Sequence, residues 1–408
     1  MNFETKLNNY ARLAVEVGVN IKKDQLLVIN SPIECAEFAR LASKHAYELG
    51  AKNVEIVWND EEANLIKYLH APEKAFEEYP EWAVKRSLDA AKDGAAFLSI
   101  SASNPDLLKS VDPKRVAMSQ KTASLAMKEF RSYTMSDKNR WCVLSVPSKA
   151  WACKVFPDVS EEEAISMLWD KIFYCARVDE GDAVANWEAH NQKLSEKQDF
   201  LNEQNFRSLK FKSGKTDLTM GLPKGHIWKG GGGLDTTGVM FNANIPTEEI
   251  FTLPHKFEVN GVVHSTKPLV YGGNVINDFS LTFKDGKVVE YSAKEGLSSL
   301  ENLLNVDEGA RYLGEVALVP VDSPISNTNV TFFNTLYDEN ASCHFAFGMA
   351  YKSSIENGIE IADADCDAYG INTSLTHVDF MIGSSDMNIT GVKENGEEVA
   401  IFVNGNWA

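Results

Sequence analysis

The chain has 408 residues, of which 44% are hydrophobic and 24% are charged, and its formal net charge at pH 7 is −18. This length exceeds what a single hydrophobic core usually serves, so we expect two domains. The negative charge argues against nucleic acid or an anionic membrane surface as a partner.

The first residues and the cysteines bear on the cellular compartment. The opening stretch MNFETKLNNYARLAVEVG carries Glu4 and lacks an apolar run, which does not fit a signal or transit peptide. We find no apolar stretch of about 18 residues, the length that spans a membrane. We interpret the cysteines as small core residues in a reducing compartment and predict a cytoplasmic location. They are scattered without a CxxC pair: Cys35, Cys142, Cys153, Cys175, Cys343 and Cys366.

Residues 1–207 alternate the patterns of helices and strands. Strands separated by helices favour a parallel sheet. We therefore predict an α/β N-terminal domain over residues 1–207. The predicted elements, in chain order, are a helix from Phe3, a strand at 25–29, a helix at 35–49, strands at 53–57 and 95–100, a helix after the capping box of Ser160 and Glu163, and a polar helix at 193–207.

Residues 208–408 have a different pattern, in which turn dipeptides are frequent. Alternating strands, such as 279–283 and 287–291, flank these dipeptides and indicate hairpins. We predict an α+β C-terminal domain rich in antiparallel strands, with the glycine run at 229–233 as a flexible loop. The turn dipeptides are Asn260-Gly261, Asp285-Gly286, Asn395-Gly396 and Asn404-Gly405.

Several common catalytic motifs are missing from the sequence. There is no HExxH zinc-protease motif, no GxSxG nucleophile motif and no GxxxxGK[ST] phosphate-binding loop. Residues 363–374 begin like a calcium-binding loop but carry Ala368 and Ser374 where that loop needs Gly and Glu. The candidate chemistry therefore lies in acidic and histidine motifs of the second half.

Two of these motifs contain histidine. His377 and Asp379 are two apart in an apolar run, so in a strand they share one face and can hold a divalent ion; an exposed histidine beside an exposed aspartate is the alternative. Glu339 and His344 lie in the block DENASCH. We predict a helix over 340–351, which places His344 and Tyr351 on one face two turns apart. The alternative is that Asp338 or Asn340 only caps this helix, which accounts for one acidic residue but not for Glu339, His344 and Tyr351 together.

Two further motifs contribute only carboxylates. Glu248 and Glu249 lie between apolar strands, where they are either a solvated pair or part of a site. Glu315 precedes a fully apolar strand, and a carboxylate buried there needs a cation or a hydrogen-bonded partner. Two histidines and four carboxylates suit a pair of borderline ions such as Zn, Co or Mn.

Four blocks closely resemble the M29 family of metallo-aminopeptidases: PTEEIFT (246–252), YLGEVALVP (312–320), LYDENASCHFAFGMAY (336–351) and THVDFMIG (376–383). Residues 141–158 are also similar to a segment of that family, and the resemblance covers essentially the whole chain. It implies an N-terminal α/β domain, a C-terminal two-metal catalytic domain over 208–408, a homodimer, and removal of N-terminal amino acids from peptides.

The resemblance also implies roles for individual residues. Tyr351 would be a catalytic side chain that donates a hydrogen bond to the developing oxyanion. Our mechanistic hypothesis, separate from the resemblance, is that Glu315 is the carboxylate that binds both ions, which activate a water. Glu248 is one candidate for the general base. Carried over position by position, the metal ligands would be Glu249, Glu315, Glu339, His344, His377 and Asp379.

Two alternatives to an aminopeptidase remain at this point. The first is another two-metal hydrolase on the same ligands, such as an amidase or a phosphoesterase. A phosphoesterase should place basic residues near the site to bind phosphate, and the ligand blocks contain almost none. The second is a non-catalytic metal-binding or dimerisation protein, which would require a damaged ligand set, whereas all six ligands are present.

Overall fold

The computed structural model describes residues 1–272 and 274–408. These residues form two compact units. The first comprises Met1–Gln192 and Gly232–Pro246, and the second comprises Lys193–Gly231 and Thr247–Ala408. The sequence pattern predicts a single domain boundary, after residue 207. Residues 232–246 lie after that boundary but belong to the first unit. The sequence gives little indication of this, because the strands in this segment are only two residues long.

Helices occur mostly in the first unit. Ser160 begins α9 as predicted, since its side chain accepts a hydrogen bond from the backbone N–H of Glu163. No helix in the described part of the chain combines the length and hydropathy needed to cross a bilayer. The helices are α1 (Phe3–Leu13), α2 (Ala36–Glu48), α3 (Glu61–His70), α4 (Lys74–Glu77), α5 (Glu81–Lys92), α6 (Pro113–Ala126), α7 (Lys128–Met135), α8 (Lys149–Val155), α9 (Glu161–Cys175), α10 (Ala183–Gln204), α11 (Leu297–Leu304), α12 (Pro324–Asn327) and α13 (Thr335–Asp338).

Strands occur in both units. They are β1 (Leu26–Pro32), β2 (Asn53–Asn59), β3 (Ala96–Ser101), β4 (Trp141–Ser145), β5 (Ser208–Lys212), β6 (Asp217–Gly221), β7 (Lys229–Gly230), β8 (Gly233–Leu234), β9 (Met240–Phe241), β10 (Asn244–Ile245), β11 (Ile250–Thr252), β12 (Val259–His264), β13 (Leu269–Tyr271), β14 (Asn274–Lys284), β15 (Lys287–Glu295), β16 (Leu313–Leu318), β17 (His344–Gly348), β18 (His377–Met381), β19 (Asn388–Val392), β20 (Glu398–Val403) and β21 (Asn406–Trp407).

The first unit contains a parallel sheet in the order β10-β4-β3-β1-β2. Leu27, Ile29 and Leu98 on its inner strands are fully buried, which explains why these strands appear as short continuous apolar runs. The segment 232–246 is held by a buried ion pair between Arg140 and Asp235, whose N–O distance is 2.5 Å. The predicted α/β fold with a parallel sheet is confirmed.

The second unit is built from antiparallel sheets. One has the order β13-β14-β12-β6-β5-β19-β20-β21, with β15 paired to β14, and the other has the order β18-β17-β16-β11-β7. Buried aromatic rings form much of its core; the centroids of Phe211 and Phe345 are 5.0 Å apart. Asp285-Gly286 joins β14 to β15 as the hairpin pattern predicts. The predicted antiparallel character of the second half is confirmed.

Two local predictions in the second half of the chain are wrong. Asn260-Gly261 forms no turn but lies inside β12, where a Cβ on Gly261 would be 2.2 Å from the carbonyl oxygen of Asp217 on the paired strand. Gly261, whose φ is 122°, therefore allows two paired strands to lie close together and does not form a hairpin turn. Residues 229–233 are not simply a loop, because Lys229–Gly230 forms β7 and pairs with β11.

Candidate metal centre

Three neighbouring strands bring four of the candidate residues to one face of a sheet. Ala346 of β17 is the register partner of Glu315 on β16 and of Asp379 on β18. Directly opposite residues on paired strands point to the same face, and so do residues two apart on one strand. His344 and His377 therefore share the face of Glu315 and Asp379. This arrangement follows from the register alone.

The predicted helix over 340–351 is wrong. Glu339–Ala341 forms a single 3₁₀ turn, and His344–Gly348 is the strand β17, with every residue buried. Periodicity cannot assign so short an apolar run, and its aromatic residues suit a strand buried on both faces. Tyr351 lies beyond the strand, and its ring centroid is 4.8 Å from that of His377. Tyr351 thus reaches the site from a loop.

The side chains form two groups that share Glu315. In the first, Nε2 of His344 lies 3.0 Å from Oε2 of Glu249 and 3.6 Å from Oε1 of Glu315. In the second, Nε2 of His377 lies 3.7 Å from Oε2 of Glu315 and 3.5 Å from Oδ1 of Asp379. Within each group the ligand atoms lie within 4.8 Å of one another, a spacing that one metal ion can span.

The two histidines present the same nitrogen to the carboxylates. Nδ1 of His344 lies 3.1 Å from the carbonyl oxygen of Ser342, and Nδ1 of His377 lies 2.7 Å from that of Met349. A carbonyl oxygen can only accept a hydrogen bond, so each Nδ1 must carry the hydrogen and donate it. The Nε2 atom of each ring then faces the site, and in the neutral ring it is free of hydrogen, as a metal ligand must be.

Unsatisfied buried atoms test whether these residues fit a metal. Nε2 of His344 and Oδ1 of Asp379 are buried and make no hydrogen bond to any described residue, although each lies near an oppositely charged group. A buried polar atom without a hydrogen bond is costly, and a coordinated cation would remove that cost. The donor set of imidazole and carboxylate, together with these atoms, fits a divalent metal.

The buried ionisable groups of the cluster strongly shift one another's pKa values. Burial raises the pKa of Glu315 to about 7, against the lowering effect of both histidines. Burial also raises the pKa of Glu339 well above its usual range, and the nearby carboxylates of Asp379 and Glu249 add to the rise. Burial would lower the pKa of His377, but Asp379 and Glu315 outweigh it and raise it to about 9. The carboxylates therefore favour the protonated form of His377, and burial favours the protonated form of Glu315 and Glu339.

Glu339 lies in the field of the cluster but belongs to neither three-residue group. It interacts electrostatically with Asp379, Glu249, His344 and Glu315. Its Oε1 accepts a hydrogen bond of 3.4 Å from the side chain of the adjacent Asn340. The structure thus places all six predicted ligands in one region and gathers five of them into the two groups.

Asn340 is a site residue that sequence analysis assigned only as a possible helix cap. Its Oδ1 accepts a hydrogen bond from the backbone N–H of Glu248 at 2.8 Å, and its Nδ2 donates to the carbonyl of Leu336 at 2.9 Å. Asn340 therefore connects the segment of Glu248 and Glu249 to the turn that bears Glu339. The sequence carries no signal for this role, because Asn340 and Glu248 are 92 positions apart.

Two further residues support the ligand segments. A Cβ on Gly230 would lie 2.4 Å from the carbonyl oxygen of Glu249, so only glycine allows β7 to approach that residue. Asp338 does not cap a helix over 340–351. Its carboxylate accepts hydrogen bonds from the backbone N–H groups of Phe332 and Asn334 at 2.9 and 3.0 Å and orders the loop before Glu339.

Histidines and carboxylates around a shared glutamate form a candidate site for a metal-dependent enzyme. The family model for the thermophilic metalloproteases M29 matches residues 3–407, and the chain belongs to that family, as its sequence motifs predicted. Aminopeptidase 2 of Geobacillus stearothermophilus is 52% identical over 406 residues, which cover 100% of this chain and 98% of that protein. Aminopeptidase AmpS of Bacillus subtilis (strain 168) is 53% identical over 407 residues, covering 100% of this chain and 99% of that protein.

A solved structure of a relative has a similar fold. The structure of wild-type AmpT from Thermus thermophilus superimposes with a TM-score of 0.94 at 39% identity, and the match covers 100% of both chains. The similarity therefore extends over both units of the chain, including the sheet that carries the candidate ligands.

Metal binding is expected to release protons near neutral pH. His377 carries a proton below a pKa of about 9 in the metal-free protein, and Glu315 does so below about 7. A ligand must lose its proton before it coordinates, so metal affinity should rise as pH increases from 6 to 8. Calorimetric titration in buffers of different ionisation enthalpy measures this release. A heat of binding that is identical in all buffers would contradict it.

Proposed function

We propose that this chain removes N-terminal amino acids from peptides at two divalent metal ions. It is an aminopeptidase of the M29 family, a hydrolase that cleaves as an exopeptidase. The observation that carries the two-metal assignment is Glu315, whose two carboxylate oxygens face different histidines in different ligand groups. The ligands we assign to the ions are Glu249, Glu315, Glu339, His344, His377 and Asp379.

The donor chemistry favours particular ions. Imidazole and carboxylate ligands together suit Zn, Co or Mn. When bound, two such ions lower the pKa of a shared water and polarise the scissile carbonyl. Glu315 would help to hold both ions, because the two groups have no other member in common.

The chain's own side chains supply the remaining steps. Tyr351 donates a hydrogen bond to the oxygen that becomes negative as the scissile carbonyl is attacked. Glu248 is our candidate for the general base: it is buried next to the ligand Glu249, and its backbone is held by Asn340. The surplus of carboxylates, Glu339 among them, attracts the free α-ammonium group of a peptide. This attraction favours cleavage at the N-terminus.

The proposal extends to the location, the partners and the oligomeric state of the protein. All six cysteines are free thiols, which supports a reducing cytoplasmic location. The net charge of −18 supports peptides rather than nucleic acid or anionic membranes as partners. We further propose a homodimer, on the basis of the family resemblance of the sequence motifs.

Acetylation of the substrate tests the exopeptidase assignment. A peptide with a free N-terminus should release amino acids, whereas the same peptide with an acetylated N-terminus should not be cleaved, because it lacks the ammonium group. Amino acid release is measured by chromatography with the metal-loaded enzyme. Equal cleavage of both peptides would overturn the assignment, and a mixture of internal fragments would indicate an endopeptidase.

A further inference from the structure

An aromatic side chain lies on the same sheet face as the candidate ligands. Phe251 of β11 is the register partner of Ala317 on β16, and Ala317 is in turn the register partner of His344 on β17. Directly opposite residues on paired strands point to one face, so Phe251 shares the face of His344. Two strand spacings, about 10 Å, separate the backbones of these two residues. The residue between them carries only a methyl group.

Phe251 also contacts the tyrosine that we assign to the developing oxyanion. The ring centroids of Phe251 and Tyr351 are 6.0 Å apart, with an interplanar angle of 61°, which is an edge-to-face arrangement. The ring of Tyr351 lies in turn 4.8 Å from that of His377. Strand register therefore links Phe251 to the ligand group of His344, and ring contacts link it to the group of His377.

Burial distinguishes Phe251 from the other large apolar side chain of its row. The row continues from His344 to Met381 of β18. Met381 is only 3% exposed, whereas Phe251 is half-buried on a strand whose other two residues are buried. Phe251 therefore keeps apolar surface that a ligand can cover. Next to imidazole and carboxylate groups, this surface suits the apolar part of a ligand.

The proposed chemistry determines which part of a peptide comes close to Phe251. In an aminopeptidase, the α-amino group and the scissile carbonyl both belong to the first residue, and both are held at the metal centre. The side chain of that residue branches from the carbon atom between these two groups. It must therefore lie among the groups that surround the ligands. Tyr351, which we assign to the oxygen of the scissile carbonyl, contacts Phe251 directly.

We propose that Phe251 forms an apolar wall of the pocket for the side chain of the N-terminal residue, and that it makes the enzyme prefer peptides that begin with a large aliphatic residue. The inference rests on the proposed function. A leucine side chain against the exposed part of the ring removes apolar surface of both groups from water. A polar side chain of the same size would lose its hydrogen bonds to water there. Phe251 is thus a specificity-determining residue.

The experiment compares Leu-Gly-Gly, Asn-Gly-Gly and Ala-Gly-Gly in the metal-loaded wild type and in Phe251→Ala. Asparagine has nearly the shape of leucine but is polar, so it separates hydrophobicity from size. The wild type should have the highest kcat/KM for Leu-Gly-Gly. Phe251→Ala should lower the ratio of kcat/KM for Leu-Gly-Gly over Ala-Gly-Gly roughly 10-fold, chiefly through KM for the leucine peptide. The milder Phe251→Leu, which keeps a smaller apolar surface, should lower it roughly threefold and replaces the alanine variant if that variant does not fold.

The matched control is Phe257→Ala, a phenylalanine of the same unit that is 39% exposed and whose ring contacts those of Tyr312 and His255. It should behave as the wild type. The inference is overturned if the wild type cleaves the leucine and asparagine peptides equally well. It is also overturned if Phe251→Ala lowers kcat/KM for all three peptides by the same factor, which would make Phe251 only a support for Tyr351.

Two further outcomes concern the position of the pocket and the proposed function. A changed preference at the second residue instead of the first, measured with Ala-Leu-Gly against Ala-Asn-Gly, would overturn the assignment of Phe251 to the N-terminal side chain. Release of no amino acid from any of these peptides by the wild type would contradict the proposed function instead. Calorimetric binding of Leu-Gly-Gly against Asn-Gly-Gly in wild type and Phe251→Ala would then decide the role of Phe251.

Discussion

Replacing Glu315 by glutamine is expected to abolish peptide hydrolysis and to release metal from both ligand groups. Glutamine preserves the shape of the side chain but removes the charge that faces His344 and His377. The cost in metal affinity should exceed the about 10- to 100-fold that loss of an outer-shell partner typically causes, because Glu315 belongs to both groups. Elemental analysis of metal per subunit, together with turnover, measures the effect.

The control for this variant is Glu258→Gln, in the same unit but paired with Arg207 at the surface. It should retain metal and activity. Chelation of the wild type should also abolish activity, and Zn, Co or Mn should restore it, whereas Glu315→Gln should stay inactive after the same addition. A Glu315→Gln protein with full metal content and normal turnover would refute the assignment. Loss of only one of two ions would show that Glu315 does not bridge them.

The fold was predictable where local patterns determine it. The strands at 25–29 and 53–57 and the helix between them leave separate apolar signatures, and alternation with helices favours parallel pairing. The spacing of His377 and Asp379 was informative for the same reason, because a strand places residues two apart on one face whatever surrounds it. These features depend on neighbours in the chain rather than on distant contacts.

Other features depend on contacts that the sequence does not display. A five-residue apolar run such as His344–Gly348 has no period of its own, and only its position between β16 and β18 makes it a strand. The link from Asn340 to Glu248 joins residues 92 positions apart. A side-chain amide that receives a distant backbone N–H resembles a helix cap in the sequence, so its role could not be recognised there.

The sequence also does not distinguish the roles of the adjacent Glu248 and Glu249. Both are buried carboxylates between apolar segments, and their order in the chain does not indicate which of them ligates. The structure directs Glu249 to Nε2 of His344, at 3.0 Å. The position of Gly230 against the backbone of Glu249 and the hydrogen bond of Asn340 to Glu248 together fix the path of this segment. That path decides which carboxylate faces the histidine.

Replacing Tyr351 by phenylalanine is expected to lower turnover by ~10²–10³ while metal content stays at the wild-type level, the typical cost of losing one oxyanion donor. Burial, together with the carboxylates of Glu315, Asp379, Glu339 and Glu249, raises the pKa of the phenol well above its usual range. The hydroxyl therefore keeps its proton at neutral pH and can donate it in a hydrogen bond. Phenylalanine preserves the ring beside His377 and removes only that donor.

The matched control is Tyr271→Phe, a half-buried tyrosine of β13 whose pKa is raised by burial alone. It should lose no activity, since no carboxylate of the site acts on its hydroxyl. Measuring kcat and bound metal per subunit in both variants separates two roles for Tyr351. Wild-type turnover in Tyr351→Phe would show that the hydroxyl of Tyr351 takes no part in the reaction. Reduced turnover with a parallel loss of metal would instead assign it to support of the ligands, because a donor to the substrate alone leaves the metal sites intact.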